Sequence, residues 1–214
     1  MKNAISSGFR QAANTWMFLV PLLTAGVMIL NFMAPLIRAY RENSIIEGLH
    51  MNLLMQSFQS DALISFLPIL AALPFGGCFV DDLKSKFARF FLIRSSYRIY
   101  IISRIIVGFL AGGLVILSGA LIAWGATAAV LIPIEREIEG MEPAVIDGLI
   151  EICFLLFLNG GFWSVLGMAM STLMESKYIS YATPFVLYYL LVILYERYFS
   201  DLFIIYPKTW TDPA

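Results

Sequence analysis

The run DDLKSKFARFFLIRSSYRIYIISR, Asp81 to Arg104, holds six of the chain's fourteen Lys and Arg residues: Lys84, Lys86, Arg89, Arg94, Arg98 and Arg104. It separates two long apolar stretches, and a short basic connection in that position is retained on the cytoplasmic side of a membrane. On a helix, Leu83, Phe87, Phe90 and Phe91 share one arc, Lys84 and Lys86 flank it, and Ser85 and Arg89 lie opposite. The pattern predicts an interfacial helix. Ser95 and Ser96 interrupt it and can cap a helix that re-enters the membrane over Ile99 to Arg104.

Composition agrees with that setting. The 214 residues are 60 % hydrophobic and only 14 % charged, against about 25 % charged in an ordinary soluble domain. The class is therefore an all-α polytopic membrane protein. A net charge of −1 supplies no global field for nucleic acid, so the basic residues matter by location. Cys78 and Cys153 sit within apolar runs, no CxxC spacing occurs, and the single histidine, His50, is remote in sequence from both. Neither a disulfide nor a metal site is indicated, and no cofactor is expected in this chain.

Residues 1–15 place Ile5, Phe9, Ala12 and Ala13 on one helical face with Trp16, and Asn3, Ser7, Arg10 and Asn14 elsewhere. This predicts an amphipathic surface helix. The following apolar run exceeds a signal-peptide core and no clear A-x-A site follows, so the segment is expected to be retained. A crossing needs roughly 20 apolar residues. Five spans meet that need, at about 16–37, 62–80, 105–134, 152–174 and 178–195, all within a single transmembrane domain. The third is one long or tilted helix, too short for two crossings.

The loops test that count. Nine basic residues fall on one side: Lys2, Arg10, the six of the opening run and Lys177. Five fall on the other: Arg38, Arg41, Arg136, Arg197 and Lys208. The loop 135–151 is strongly acidic, with Arg136 its only basic residue. The expected arrangement is a multi-pass cell-membrane protein with a cytoplasmic N-terminus and an external C-terminus. The apolar patch 201–206 is too short to span and suits an external interfacial element.

Within the spans, Gly108 and Gly112 form a GxxxG pair, suited to close helix packing inside the molecule or to dimerisation. Asn159, Gly160 and Gly161 fit a packing contact or, less simply, a hinge. Pro21, Pro68, Pro74 and Pro184 can kink their helices. No charged residue falls inside the spans so bounded, which argues against an ion-coupled carrier. Gly161 to Ser164 loosely suggest a membrane serine protease, but His50 has no helix that would bring it to Ser164. Asp81 and Asp82 suit pairing with a nearby Arg or capping better than metal binding. No G-x-x-x-x-G-K-[ST] run occurs, so ATP would have to be hydrolysed by another subunit.

The opening run resembles the region between the second and third transmembrane helices of ABC transporter permeases of the type-2 exporter class. The family's loose pattern is an acidic residue, a small or polar residue, a hydrophobic stretch, a polar residue with Arg and Tyr, and a basic residue. Here it falls on Asp82, Ser85, Phe87 to Ile93, Ser96, Arg98, Tyr100 and Arg104, although Lys84 and Ser85 replace the usual small pair after the acidic position. The order of elements is similar too, through the turn at Glu175 to Lys177 and the segment near Pro207 and Trp210. The resemblance implies a membrane-spanning permease subunit of an ATP-driven exporter, and a sixth helix after residue 214. It implies a coupling helix over 82–93 that grips a separate nucleotide-binding ATPase subunit, where ATP and magnesium would bind, and a second permease chain as homo- or heterodimer. Asp82, Lys84, Lys86, Phe87, Arg89, Phe90, Arg94 and Arg98 are the candidate coupling residues, and Asn31, Ser118, Asn159 and Thr183 the candidate lining of a path. Hydrophobic peptides, lipids and drugs all fit as cargo. The alternative is a non-transporting membrane immunity or scaffold protein, which needs only the topology and the GxxxG packing.

Overall fold

The computed structural model describes residues 6, 8–10, 16–42, 49–85, 97–131, 143–199 and 201–211. Among them the chain is helical and contains no strand. Among the described residues after position 15 there are seven α-helices: α1 Trp16–Glu42, α2 Leu49–Phe58, α3 Asp61–Ala72, α4 Cys78–Lys84, α5 Tyr97–Leu131, α6 Pro143–Leu173 and α7 Lys177–Arg197. Two short 3-10 turns, Phe203–Ile205 and Pro207–Thr211, close the described chain. Helices α1, α5, α6 and α7 are each long and apolar enough to cross a membrane. A fifth crossing exists if α2 and α3, bent by 66° at their junction, count as one broken span. The chain is an all-α polytopic membrane protein.

The second expected span, 62–80, is not continuous. Helix α3 stops at Ala72, the chain turns through Leu73–Gly77, and α4 begins at Cys78. Pro74 has no N–H to extend the α3 ladder. A Cβ on Gly76 would lie 2.6 Å from the Ala72 carbonyl oxygen and 2.9 Å from Ser180 Oγ, so the tight turn requires glycine there. The Ser171 hydroxyl donates to the Gly76 carbonyl at 2.9 Å, which satisfies a backbone group released by the break. At the other end of α3, Ser60 is extended and its Oγ accepts from the Leu63 N–H, a side-chain N-cap that fixes the bend against α2.

Helix α5 starts at Tyr97, so the segment expected to re-enter the membrane over Ile99 to Arg104 is continuous with the third span, and it carries both Arg98 and Arg104. Lipid offers little hydrophobic drive for helix association, so small residues and close contact decide the packing. Gly112 and Gly113 of α5 cross Gly160 and Gly161 of α6. A Cβ on Gly160 would approach Gly112 O at 2.9 Å, and one on Gly113 would strike Phe157 at 2.5 Å. Phe109 covers Gly161 in return, and the Phe109 and Phe157 rings meet edge to face at 5.7 Å. A second close crossing joins α5 to α1, where a Gly119 Cβ would lie 2.8 Å from Ala25 Cβ. Helix α5 thus forms the axis of the bundle. Trp163, Ile116, Ile152, Leu156 and Tyr188 belong to the main core, and a smaller cluster gathers Phe75, Val107, Ala111 and Met168.

Candidate functional site

Functional chemistry concentrates where α4, the start of α5 and the α6–α7 turn meet. The carboxylate of Asp82 is buried and accepts hydrogen bonds from the Arg104 guanidinium and, at 2.8 Å, from the Tyr100 hydroxyl. Arg104 is equally buried, and its guanidinium lies 5.4 Å from the Tyr100 ring centroid and 5.6 Å from that of Phe75. Tyr100 and Arg104 are four residues apart and share a face of α5, so one helical turn presents both donors to Asp82. Two charges at this depth persist because each neutralises the other and aromatic faces replace part of the lost hydration.

A second ion pair ties the same short helix elsewhere. Asp81 pairs with Lys177 at the start of α7, and both side chains are partly exposed. Helix α4 is therefore held to α5 by Asp82 and to α7 by Asp81. The turn before it is held to α6 by Ser171. Gly8 packs against this junction: it is buried, and a Cβ there would meet Val107 at 3.0 Å and Arg104 Nη1 at 3.3 Å.

The other candidate coupling residues divide into two groups. Lys84 and Arg98 are exposed. Lys86, Phe87, Arg89, Phe90 and Arg94 lie outside the described residues, as does most of the expected 82–93 helix. Asp82 is turned inward, against Arg104 and Tyr100. Gly108 faces Phe75 and Met168, while Gly112 faces Ser164, the Gly160 carbonyl and the Ala71 carbonyl. The GxxxG pair is occupied by packing inside the molecule.

The four candidate path residues lie on four different helices. Asn31 is exposed on α1; Ser118 is half-buried and donates to the Val115 carbonyl at 3.0 Å. Thr183 is half-buried on α7. Asn159 is buried beside the glycine crossing, and its Oδ1 has no hydrogen-bond partner among the described residues. Asp82 and Arg104, which lie just outside the expected spans, are both buried. Asp82 and Arg104 carry a signal in the sequence, as the acidic and basic ends of one motif. Ser171 and Lys177 carried none, because a lone serine or lysine does not declare its partner.

At the opposite end of α7, the two 3-10 turns fold back over the bundle. Trp210 stacks on Trp163 with centroids 6.0 Å apart and planes at 21°, and Tyr206 stacks on Tyr195 at 4.3 Å. Lys208 reaches Asp61 at the start of α3 at 3.1 Å, and the hydrogen bond to that carboxylate raises the lysine pKa above its ordinary value.

Comparison with protein-family models, with curated proteins and with solved structures gives no significant match in any of the three. The chemistry of this chain's own residues therefore carries the functional reading.

Proposed function

We propose that the chain is the membrane-spanning permease subunit of an ATP-driven exporter, moved by a separate ATPase that grips the segment 82–93. The supporting observation is the anchoring of α4: Asp82 is locked to Arg104 and Tyr100 on α5, and Asp81 to Lys177 on α7. A displacement of the segment that follows α4 would be passed to two crossings at once, as a coupling element must do. In this reading the N-terminus and that segment face the cytoplasm. Lys84, Lys86, Arg89 and Arg98 supply attraction to an acidic groove on the ATPase, and a second permease chain completes the transporter.

The test is capture of the tagged chain from its native membranes, followed by identification of bound proteins. A P-loop ATPase is expected in the wild-type complex and lost from Lys86→Glu/Arg89→Glu. Its absence from the wild-type complex overturns the reading. Occupation of Gly108 and Gly112 by internal contacts favours the second reading of a non-transporting membrane scaffold. That reading predicts no ATP-dependent efflux from vesicles carrying the chain and its partners.

A further inference from the structure

An apolar groove of about 360 Å³ runs between the first turns of α5 and the last turns of α6. Ile101 and Ile105 form one wall, Val165 and Ala169 the other, with Phe79 and Leu173 among the remaining lining side chains. The groove opens on the surface these spans turn toward lipid, where Ile105 and Ala169 are exposed. Its polar end is basic. Arg104 contributes to the lining, and Arg98, exposed, precedes Ile101 by three residues and Ile105 by seven, which sets it on the same face of α5 one turn beyond the apolar wall.

We propose that this groove is a binding site for an anionic glycerophospholipid of the leaflet on the Asp82 side, with an acyl chain along the apolar walls and the headgroup phosphate against Arg98. The occupant follows from the setting. In a bilayer the only apolar chains free to fill a lipid-facing groove are those of lipids, and the exposed guanidinium at the mouth complements a headgroup with net negative charge. Arg104, already paired with Asp82, shapes the polar end, while Arg98 is the residue that distinguishes anionic from neutral headgroups. Arg98 is shared with the proposed ATPase contact, but lipid binding to the chain alone does not depend on the transport reading.

The experiment is native mass spectrometry of the delipidated full chain in non-ionic detergent, titrated with phosphatidylglycerol or phosphatidylcholine. The wild type is expected to bind phosphatidylglycerol about fivefold more tightly, the preference that one surface-facing arginine gives an anionic headgroup. Arg98→Gln should remove the preference and Arg98→Lys restore it. Ala169→Phe, which fills the groove from an exposed position, should weaken both lipids. Arg197→Gln, exposed at the opposite end of α7, should leave the preference intact. Equal affinities in the wild type, an unchanged preference in Arg98→Gln, unchanged binding in Ala169→Phe, or an equal loss in Arg197→Gln would each overturn the site. Helical circular dichroism of each variant accompanies the titration, and the exposed positions of Arg98 and Ala169 leave the core untouched.

Discussion

Arg104 keeps a full charge inside a helix bundle, and the groups around it set what its loss should cost. The guanidinium has a carboxylate, a tyrosine and a phenylalanine ring about it. Removing one member of a buried pair leaves the other charged and desolvated, which costs on the order of 3–5 kcal/mol. Asp82→Asn and Arg104→Gln should each lower stability by that order in detergent unfolding, yet the double variant should cost clearly less than their sum. Additive losses would contradict a coupled pair. Lys208 and Asp61 form the opposite case, since the carboxylate side chain is 84 % exposed. Such a pair contributes less than about 1 kcal/mol, so Asp61→Asn should hardly move the unfolding midpoint. The pH dependence follows from the direction of the lysine shift. A raised pKa gives stability that is fully present below the ordinary lysine value of 10.5 and is lost as pH rises through the higher folded value. Unfolding midpoints between pH 6 and 9 should therefore show no pH-dependent change from Lys208, and a decline centred within that range that Lys208→Gln removes would contradict the assignment.

Elements meet mainly at glycines, and the consequence differs from one glycine to another. A Cβ at Gly112 would strike Ser164 and approach the Gly160 carbonyl at 2.8 Å and the Ala71 carbonyl at 3.0 Å, so two helices would have to retreat. Gly112→Ala should destabilise by about 1–3 kcal/mol, the usual cost of overpacking. Gly125 lies on the same helix with nothing within 4 Å of the added carbon. Gly125→Ala should be neutral or stabilise by up to about 1 kcal/mol, because alanine favours the helix. A melt series on the two variants separates packing from propensity, and equal effects would rule out the crossing as the cause. The GxxxG spacing announced that α5 would be closely approached. It did not announce by what, because spacing defines a small face and not its neighbour. The break in the second span was less legible: Pro74 marked a kink, but Ser171, the donor that makes it tolerable, lies 95 residues away from Gly76.

At the scale of the molecule, hydropathy located the helices because lipid demands long apolar runs with internally bonded backbones. It could not foresee that α2 would form inside a connecting segment and meet α3 at 66°. The segment after α7 was legible as apolar and short, but not as a cover. Residues 201–211 return along α7 so that Trp210 reaches Trp163, halfway along α6, and its indole N–H donates to the Ile204 carbonyl at 2.9 Å. Phe162 adds an edge-to-face contact at 5.8 Å. This segment therefore seals the face between α6 and α7 with aromatic rings in place of lipid. Truncating a packed tryptophan costs about 3–5 kcal/mol in a core that cannot collapse around the void. Trp210→Ala should approach the lower end of that range, since the ring is only partly buried. Ile204→Ala removes an 85 % exposed side chain from the same segment and leaves the carbonyl that accepts the indole bond, so it should change stability by less than about 0.5 kcal/mol. Limited proteolysis between Arg197 and Lys208 gives a local readout beside the global melt. Accelerated cleavage in Trp210→Ala, with Ile204→Ala cut at the wild-type rate, is the expected result. Equal cleavage of all three proteins would mean that the Trp163–Trp210 stack does not hold the cover in place.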